Sequence, residues 1–103
     1  MASHTTHAVL FQREGWWVAQ CLQYDLAAQA KSLRDLLYEL ERTLVGHVVV
    51  SEVKGLEPFE HLPAAPQMYW DMFAEALELK HQEIPFRVPR GRSVPVPELR
   101  IAA

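Results

Sequence analysis

The chain has 103 residues and a mass of 11.8 kDa; 50% of its residues are hydrophobic and 22% are charged. This composition indicates one globular domain and excludes a disordered, collagenous or coiled-coil chain. Its single cysteine, Cys21, excludes an intramolecular disulfide framework. A net charge of −3 disfavours binding of nucleic acid over the whole surface. No apolar run is long enough to span a bilayer and residues 1–7 lack a hydrophobic signal core, so we expect a cytoplasmic protein.

The N-terminal part of the chain predicts three strands. Residues 8–13 combine β-branched and aromatic side chains without helical spacing, which is typical of a strand. Glu14 and Gly15 offer a turn and residues 16–23 resume the strand pattern, so we expect a hairpin, with a third strand over residues 26–31. Alternate positions of the second strand are apolar on both sides, which predicts a sheet covered on both faces.

A long amphipathic helix follows. Ser32 is a suitable N-cap, and the leucines and valines of residues 33–48 recur at spacings of three and four on one helix face. Gly46 costs this helix about 1 kcal/mol relative to alanine. The pair Lys54-Gly55 predicts that the helix ends near residue 53.

All seven prolines lie after Gly55, which predicts an interrupted second half. We expect a connector anchored by Phe59 and Leu62, and then a second helix over about residues 66–81. Residues 84–103 should form an extended arm, because their prolines exclude a central strand and allow only an edge strand or a polyproline-like conformation.

Charge divides along the chain in the same way. Residues 1–83 carry a net charge of −6, whereas residues 84–103 carry +3. The arm could therefore contact the acidic body of its own chain or of a neighbouring one. Its arginines, which could also contact phosphates, are Arg87, Arg90 and Arg92.

No residue pattern indicates a catalytic, cofactor or metal site. Cys21 lies in an apolar strand, which predicts a buried and inert thiol. The glycines are too far apart to form a phosphate-binding loop. Metal-ligand spacing is absent among the five histidines, which are His4, His7, His47, His61 and His81. We therefore expect a protein that is not an enzyme and needs no cofactor.

Two pairs of residues are candidates for an interaction surface. Trp16 and Trp17 are adjacent on a strand and point to opposite faces, so one can enter the core while the other meets a partner. Burial of both is the alternative. Tyr24 and Asp25 form the corner after this strand, where a turn role for the aspartate competes with a role in binding.

The stretch WVAQCLQYDLAAQAKSL, which begins at Trp17, resembles the HicB-like antitoxin family. The shared pattern covers about residues 8–50: a cysteine-containing strand, an Asp-aliphatic-Ala-x-Gln third strand, and a capped amphipathic helix. The resemblance implies a unit similar to a truncated ribonuclease H fold, with a small basic ribonuclease toxin as partner. Complete antitoxins of this type carry a helix-turn-helix or ribbon-helix-helix segment, and residues 56–103 match neither, so we do not expect DNA binding.

These patterns together predict an α+β fold in which a three-stranded antiparallel sheet packs on the first helix. Residues 1–55 would form the HicB-like unit, and residues 56–103 the connector, second helix and arm of the same domain. The second apolar sheet face and the arm predict a homodimer or higher homo-oligomer. We expect an antitoxin-like interaction module; the alternatives are an orphan structural oligomer and a small ligand-binding protein or enzyme. The last of these would use a pocket near Tyr24, Asp25 and Ser32.

Overall fold

The computed structural model describes residues 6–78 and 97–102, which form a mixed sheet and two helices in an α+β arrangement. Four strands have at least four residues, a fifth has only two, and the strand order is β3-β2-β1-β5-β4. The elements are β1 (Thr6–Arg13), β2 (Trp16–Cys21), β3 (Ala27–Ala30), α1 (Leu33–Val53), α2 (Gln67–Glu75), β4 (Leu77–Glu78) and β5 (Pro97–Ile101).

The predicted hairpin is present. Strand β1 pairs with β2 in antiparallel register, and β2 pairs in the same way with β3. Glu14 and Gly15 connect β1 and β2 with φ values of 50° and 82°. Two consecutive residues in the left-handed region form the turn whose twist matches that of the flanking strands. Glycine adopts this conformation without steric cost, which explains the choice of residue at position 15.

The expectation of a three-stranded antiparallel sheet is wrong, because the sheet continues past β1. Strand β5 pairs with β1 in parallel, with Thr6 opposite Pro97 and Leu10 opposite Ile101. It lies between β1 and β4, a position from which the prolines were expected to exclude it. Pro97 occupies only the first residue of the strand, so the residues that follow keep their backbone donors. The rest of the predicted arm before Pro97 lies outside the described residues.

The boundaries of α1 confirm the predicted caps. The Ser32 side chain accepts a hydrogen bond from the Asp35 backbone N–H at 3.1 Å, which satisfies one of the free donors of the first turn. At the other end Gly55 has a φ of 70°, and the Leu56 N–H donates to the Ser51 carbonyl at 2.8 Å. This return of the chain satisfies a carbonyl of the last turn.

Each face of the sheet has a separate apolar cover. Helix α1 packs on one face, in a cluster formed mainly by alanine, leucine and cysteine. The other face carries Val9, Phe11 and Leu22, against which the aromatic residues of α2 pack. The prediction that both faces are covered is confirmed. Because the second cover comes from the same chain, that face no longer supplies a reason for a dimer.

Helix α2 is shorter than expected. It ends at Glu75 rather than near residue 81, because Ala76 is extended and Leu77–Glu78 pair with β5. Pairing of a neighbouring strand thus interrupts a segment whose side-chain spacing favours a helix.

Leu99→Ala tests the placement of β5. Leu99 is 5% exposed and packs in the cluster under α1, so we expect the free energy of unfolding to fall by about 2–4 kcal/mol in urea titrations. Met68→Ala is the control, because Met68 is 53% exposed, and it should change stability by less than about 0.5 kcal/mol. Equal losses in the two variants would contradict the placement of β5 in the sheet.

Candidate protein-interaction site

The corner after β2 is joined to the connector that precedes α2. The Asp25 N–H donates to the Pro63 carbonyl at 2.7 Å, and the Ala65 N–H donates to the Leu22 carbonyl at 2.8 Å. The buried Gln20 amide donates to Asp25 Oδ1 at 2.9 Å. Asp25 therefore supports the corner through both its backbone and its side chain, in agreement with the turn role weighed from the sequence.

Phe59 is the residue that anchors the connector. Its ring is 3% exposed, stacks on Tyr24 with centroids 4.4 Å apart, and lies 4.8 Å from the His47 ring of α1. Its φ of 70° lies in the left-handed region, which is uncommon for a bulky side chain. The two ring contacts and a backbone hydrogen bond to His47 hold this conformation in place.

His47 makes that hydrogen bond in its neutral form. Its Nε2 accepts from the Phe59 N–H at 2.9 Å and lies 3.4 Å from Ser51 Oγ. Burial lowers the pKa of His47 below its usual value of 6.5, because the charged ring would lose hydration. A proton on Nε2 would also set the His47 N–H against the Phe59 N–H, and neither group could accept a hydrogen bond from the other.

A cavity of about 370 Å³ opens beside this aromatic cluster. Its lining consists of Tyr24, Glu57, Pro58, Phe59 and Glu60. Aromatic rings with nearby carboxylates suit a cation carried on an apolar stem, such as an arginine or lysine side chain. Of the pocket residues expected from the sequence only Tyr24 lines the cavity, since Asp25 supports the corner and Ser32 caps α1.

The structure does not bring the tryptophans to this cavity. Trp16 and Trp17 begin β2, whereas Tyr24 follows its far end. Trp17 packs against the cluster under α1, and the Lys31 ammonium lies 3.8 Å from the centroid of the Trp16 ring. The three arm arginines, Arg87, Arg90 and Arg92, lie outside the described residues.

Neither the Cys21 thiol nor a cluster of metal-ligating side chains among the described residues provides a reactive centre. Cys21 is buried, and burial raises the pKa of its thiol to about 12. The thiolate, which is the reactive form, is therefore disfavoured at neutral pH. Across residues 6–78 and 97–102, no three histidine, cysteine or acidic side chains are grouped so as to hold a metal ion. Neither α1 nor α2 has the length and apolar character that a bilayer span requires.

No protein-family model, curated protein or solved structure matches this chain. The antitoxin resemblance therefore rests on the sequence pattern. Sequence reasoning identified Tyr24 and the anchoring role of Phe59, but it missed Glu57, Glu60 and the contact made by His47. The run Glu57-Pro58-Phe59-Glu60 was a possible signal, because it puts two carboxylates around an apolar anchor.

The His47 contact predicts a pH-dependent stability. Between the lowered pKa of the folded state and 6.5 the unfolded chain binds more protons, so the free energy of unfolding should fall as the pH is lowered through this window. The Gln side chain of His47→Gln can still accept from Phe59 but does not titrate, and this variant should lose less stability between pH 7.5 and 5. Urea titrations at each pH measure the effect. If His47→Gln keeps the wild-type pH dependence, the interpretation is wrong.

Proposed function

We propose that this protein is a non-enzymatic interaction module of the HicB antitoxin type, which binds and blocks a small basic protein. The expected partner is a ribonuclease toxin. The observation that carries the proposal is the cavity beside Tyr24 and Phe59, with carboxylates from Glu57 and Glu60. The order of strand, turn, strand, strand and capped helix on which the family resemblance rests is present in the fold and supports the same reading.

The charge of the described part of the chain favours a basic partner. Residues 6–78 and 97–102 contain twelve acidic and six basic residues. A net charge of −6 attracts a cationic protein at long range and raises the rate of association, more strongly at low salt. It also disfavours nucleic acid as the ligand of this surface.

The cavity provides a place for one side chain of that partner. An arginine inserted there would lay its guanidinium on an aromatic ring and donate hydrogen bonds to Glu57 or Glu60. Tyrosine and arginine are enriched among the few residues that carry most of the binding energy of an interface. The same volume lies near the lower limit for small-molecule sites, so a small cationic ligand is the second candidate function.

Co-expression with the product of a neighbouring gene, if that gene encodes a small basic protein, tests the proposal. We expect the two chains to copurify and growth inhibition by that protein to be relieved. The double substitution Glu57→Gln with Glu60→Gln removes both cavity carboxylates and should weaken binding by about tenfold or more in calorimetry.

The matched control is Asp71→Asn with Glu75→Gln, which removes the same charge from exposed positions on α2. It should weaken binding by less than about threefold, since it changes only the long-range attraction. Equal effects of the two doubles would rule out the cavity as the contact. The absence of both a complex and growth rescue would refute the antitoxin function, and binding of free arginine or a polyamine alone would favour the small-ligand alternative.

A further inference from the structure

The wall of the cavity comes mainly from one short segment of the connector. Four of its five lining residues are the run Glu57-Pro58-Phe59-Glu60, and the fifth is Tyr24 at the corner after β2. We call residues 57–60 the cavity segment. Because this segment carries both carboxylates and one of the two rings, the shape of the cavity depends on where the segment lies.

Backbone hydrogen bonds fix the chain on either side of the cavity segment. Before it, the Leu56 N–H donates to the Ser51 carbonyl at 2.8 Å; after it, the Pro63 carbonyl accepts a hydrogen bond from the corner at 2.7 Å. Between these two bonds, the Phe59 N–H donates to His47 Nε2 at 2.9 Å and so joins the segment to α1. The segment can therefore move away from α1 while the chain on both sides of it stays in place.

The conformation of Phe59 depends on the contacts that surround it. Its φ of 70° lies in the left-handed region, which a bulky side chain rarely adopts. Its ring centroid lies 4.4 Å from that of Tyr24 and 4.8 Å from that of His47. Such a conformation persists only where the surrounding structure holds it. Loss of the contact with His47 would favour an ordinary φ and withdrawal of the ring from Tyr24.

We propose that His47 is a proton-sensitive latch for the cavity: protonation of its ring releases the cavity segment from α1 and thereby weakens the binding of a cation. The Nε2 atom accepts the Phe59 N–H through a lone pair, and a proton would occupy that lone pair. The Ser51 hydroxyl lies 3.4 Å from the same nitrogen and can donate to it as well. Protonation would remove the acceptor of a donor in Phe59, which is only 3% exposed, and this is costly for a buried group.

A charge on His47 would also act directly on a bound cation. The His47 ring packs against Phe59, which is itself part of the cavity lining. A cation held in the cavity would therefore meet a like charge close by, and the two would repel each other. By linkage, a bound cation would in turn make His47 harder to protonate. Release of the segment and charge repulsion both weaken binding in acid.

Other titratable groups lie on the elements that surround His47. They are Glu52 and Lys54 near the end of α1, Glu57, Glu60 and His61 in the connector, and Tyr24 and Asp25 at the corner. Carboxylates and the face of the Phe59 ring favour the charged imidazole, whereas burial disfavours it. Burial prevails, because the pKa of His47 is lowered from 6.5, so the latch should open at a pH below 6.5.

The two parts of the proposal depend on different assumptions. The effect on cation binding rests on the proposed function of the cavity. Movement of the cavity segment does not, because it follows from the contact between His47 and Phe59 alone. One measurement without a ligand and one with a ligand therefore test the two parts separately.

Hydrogen exchange of the full chain, followed by NMR without a ligand, tests the latch. Between pH 7.5 and 5 the protection factor of the Phe59 N–H should fall about threefold or more. The Ala65 N–H, which donates to the Leu22 carbonyl at 2.8 Å, is the internal control and should keep its protection. In His47→Gln the protection of Phe59 should not depend on pH. A pH-independent Phe59 in the wild-type chain, or an equal fall at Ala65 or in His47→Gln, would overturn the proposal.

Titration with L-arginine amide, followed in the same spectra, tests the effect on the cavity. The rise in its dissociation constant between pH 7.5 and 5 should be about threefold larger for the wild-type chain than for His47→Gln. Both chains keep Glu57 and Glu60, so titration of these carboxylates affects both alike. Equal rises would overturn control of the cavity by His47. Failure of the probe to bind at pH 7.5 would instead contradict the cation site of the proposed function, and the exchange measurement would then decide on the latch.

Discussion

The leucine side chains of α1 pack against a sheet face made mostly of small residues. Leu36, Leu40 and Leu44 are fully buried, and the strands beneath them contribute a group of small side chains: Ala8, Ala19, Cys21, Ala28 and Ala30. Small residues let the helix lie close to the sheet, and the long leucines occupy the space between them. The orientation of α1 follows from this contact. Because the leucine face of α1 packs in the core, the helical period sets the direction in which each of the other α1 residues points.

The connector depends on that orientation. His47 is one residue before the buried Val48, and it points its Nε2 to the Phe59 backbone where the chain returns from the end of α1. The resulting stack of Phe59 on Tyr24 joins the connector to the corner after β2. A cavity with aromatic and acidic lining is a consequence, because Glu57 and Glu60 flank the anchored ring in the chain. The site thus combines one short run, residues 57–60, with Tyr24 from a corner that is distant in the sequence.

The proposed contact with a basic partner depends on two physical interactions that act over different distances. Binding of a basic partner at the cavity would combine long-range attraction from the acidic body with a short-range contact on aromatic rings. The long-range part would weaken as salt is added, because ions screen it, whereas the contact on the rings is screened much less.

Local patterns in the sequence determined the hairpin, the capped helix α1 and its leucine face, since turn geometry, capping and side-chain period act over a few residues. Phe59 as an anchor was predicted as well. Only the tertiary structure decided that Pro97–Ile101 pairs with β1, that α2 stops at Glu75 to allow β4, and that two glutamates meet an aromatic pair. Strand pairing and cavity formation bring together residues far apart in the chain, and their energies depend on which surfaces the rest of the fold leaves open. A single sequence carries no local signal of that choice.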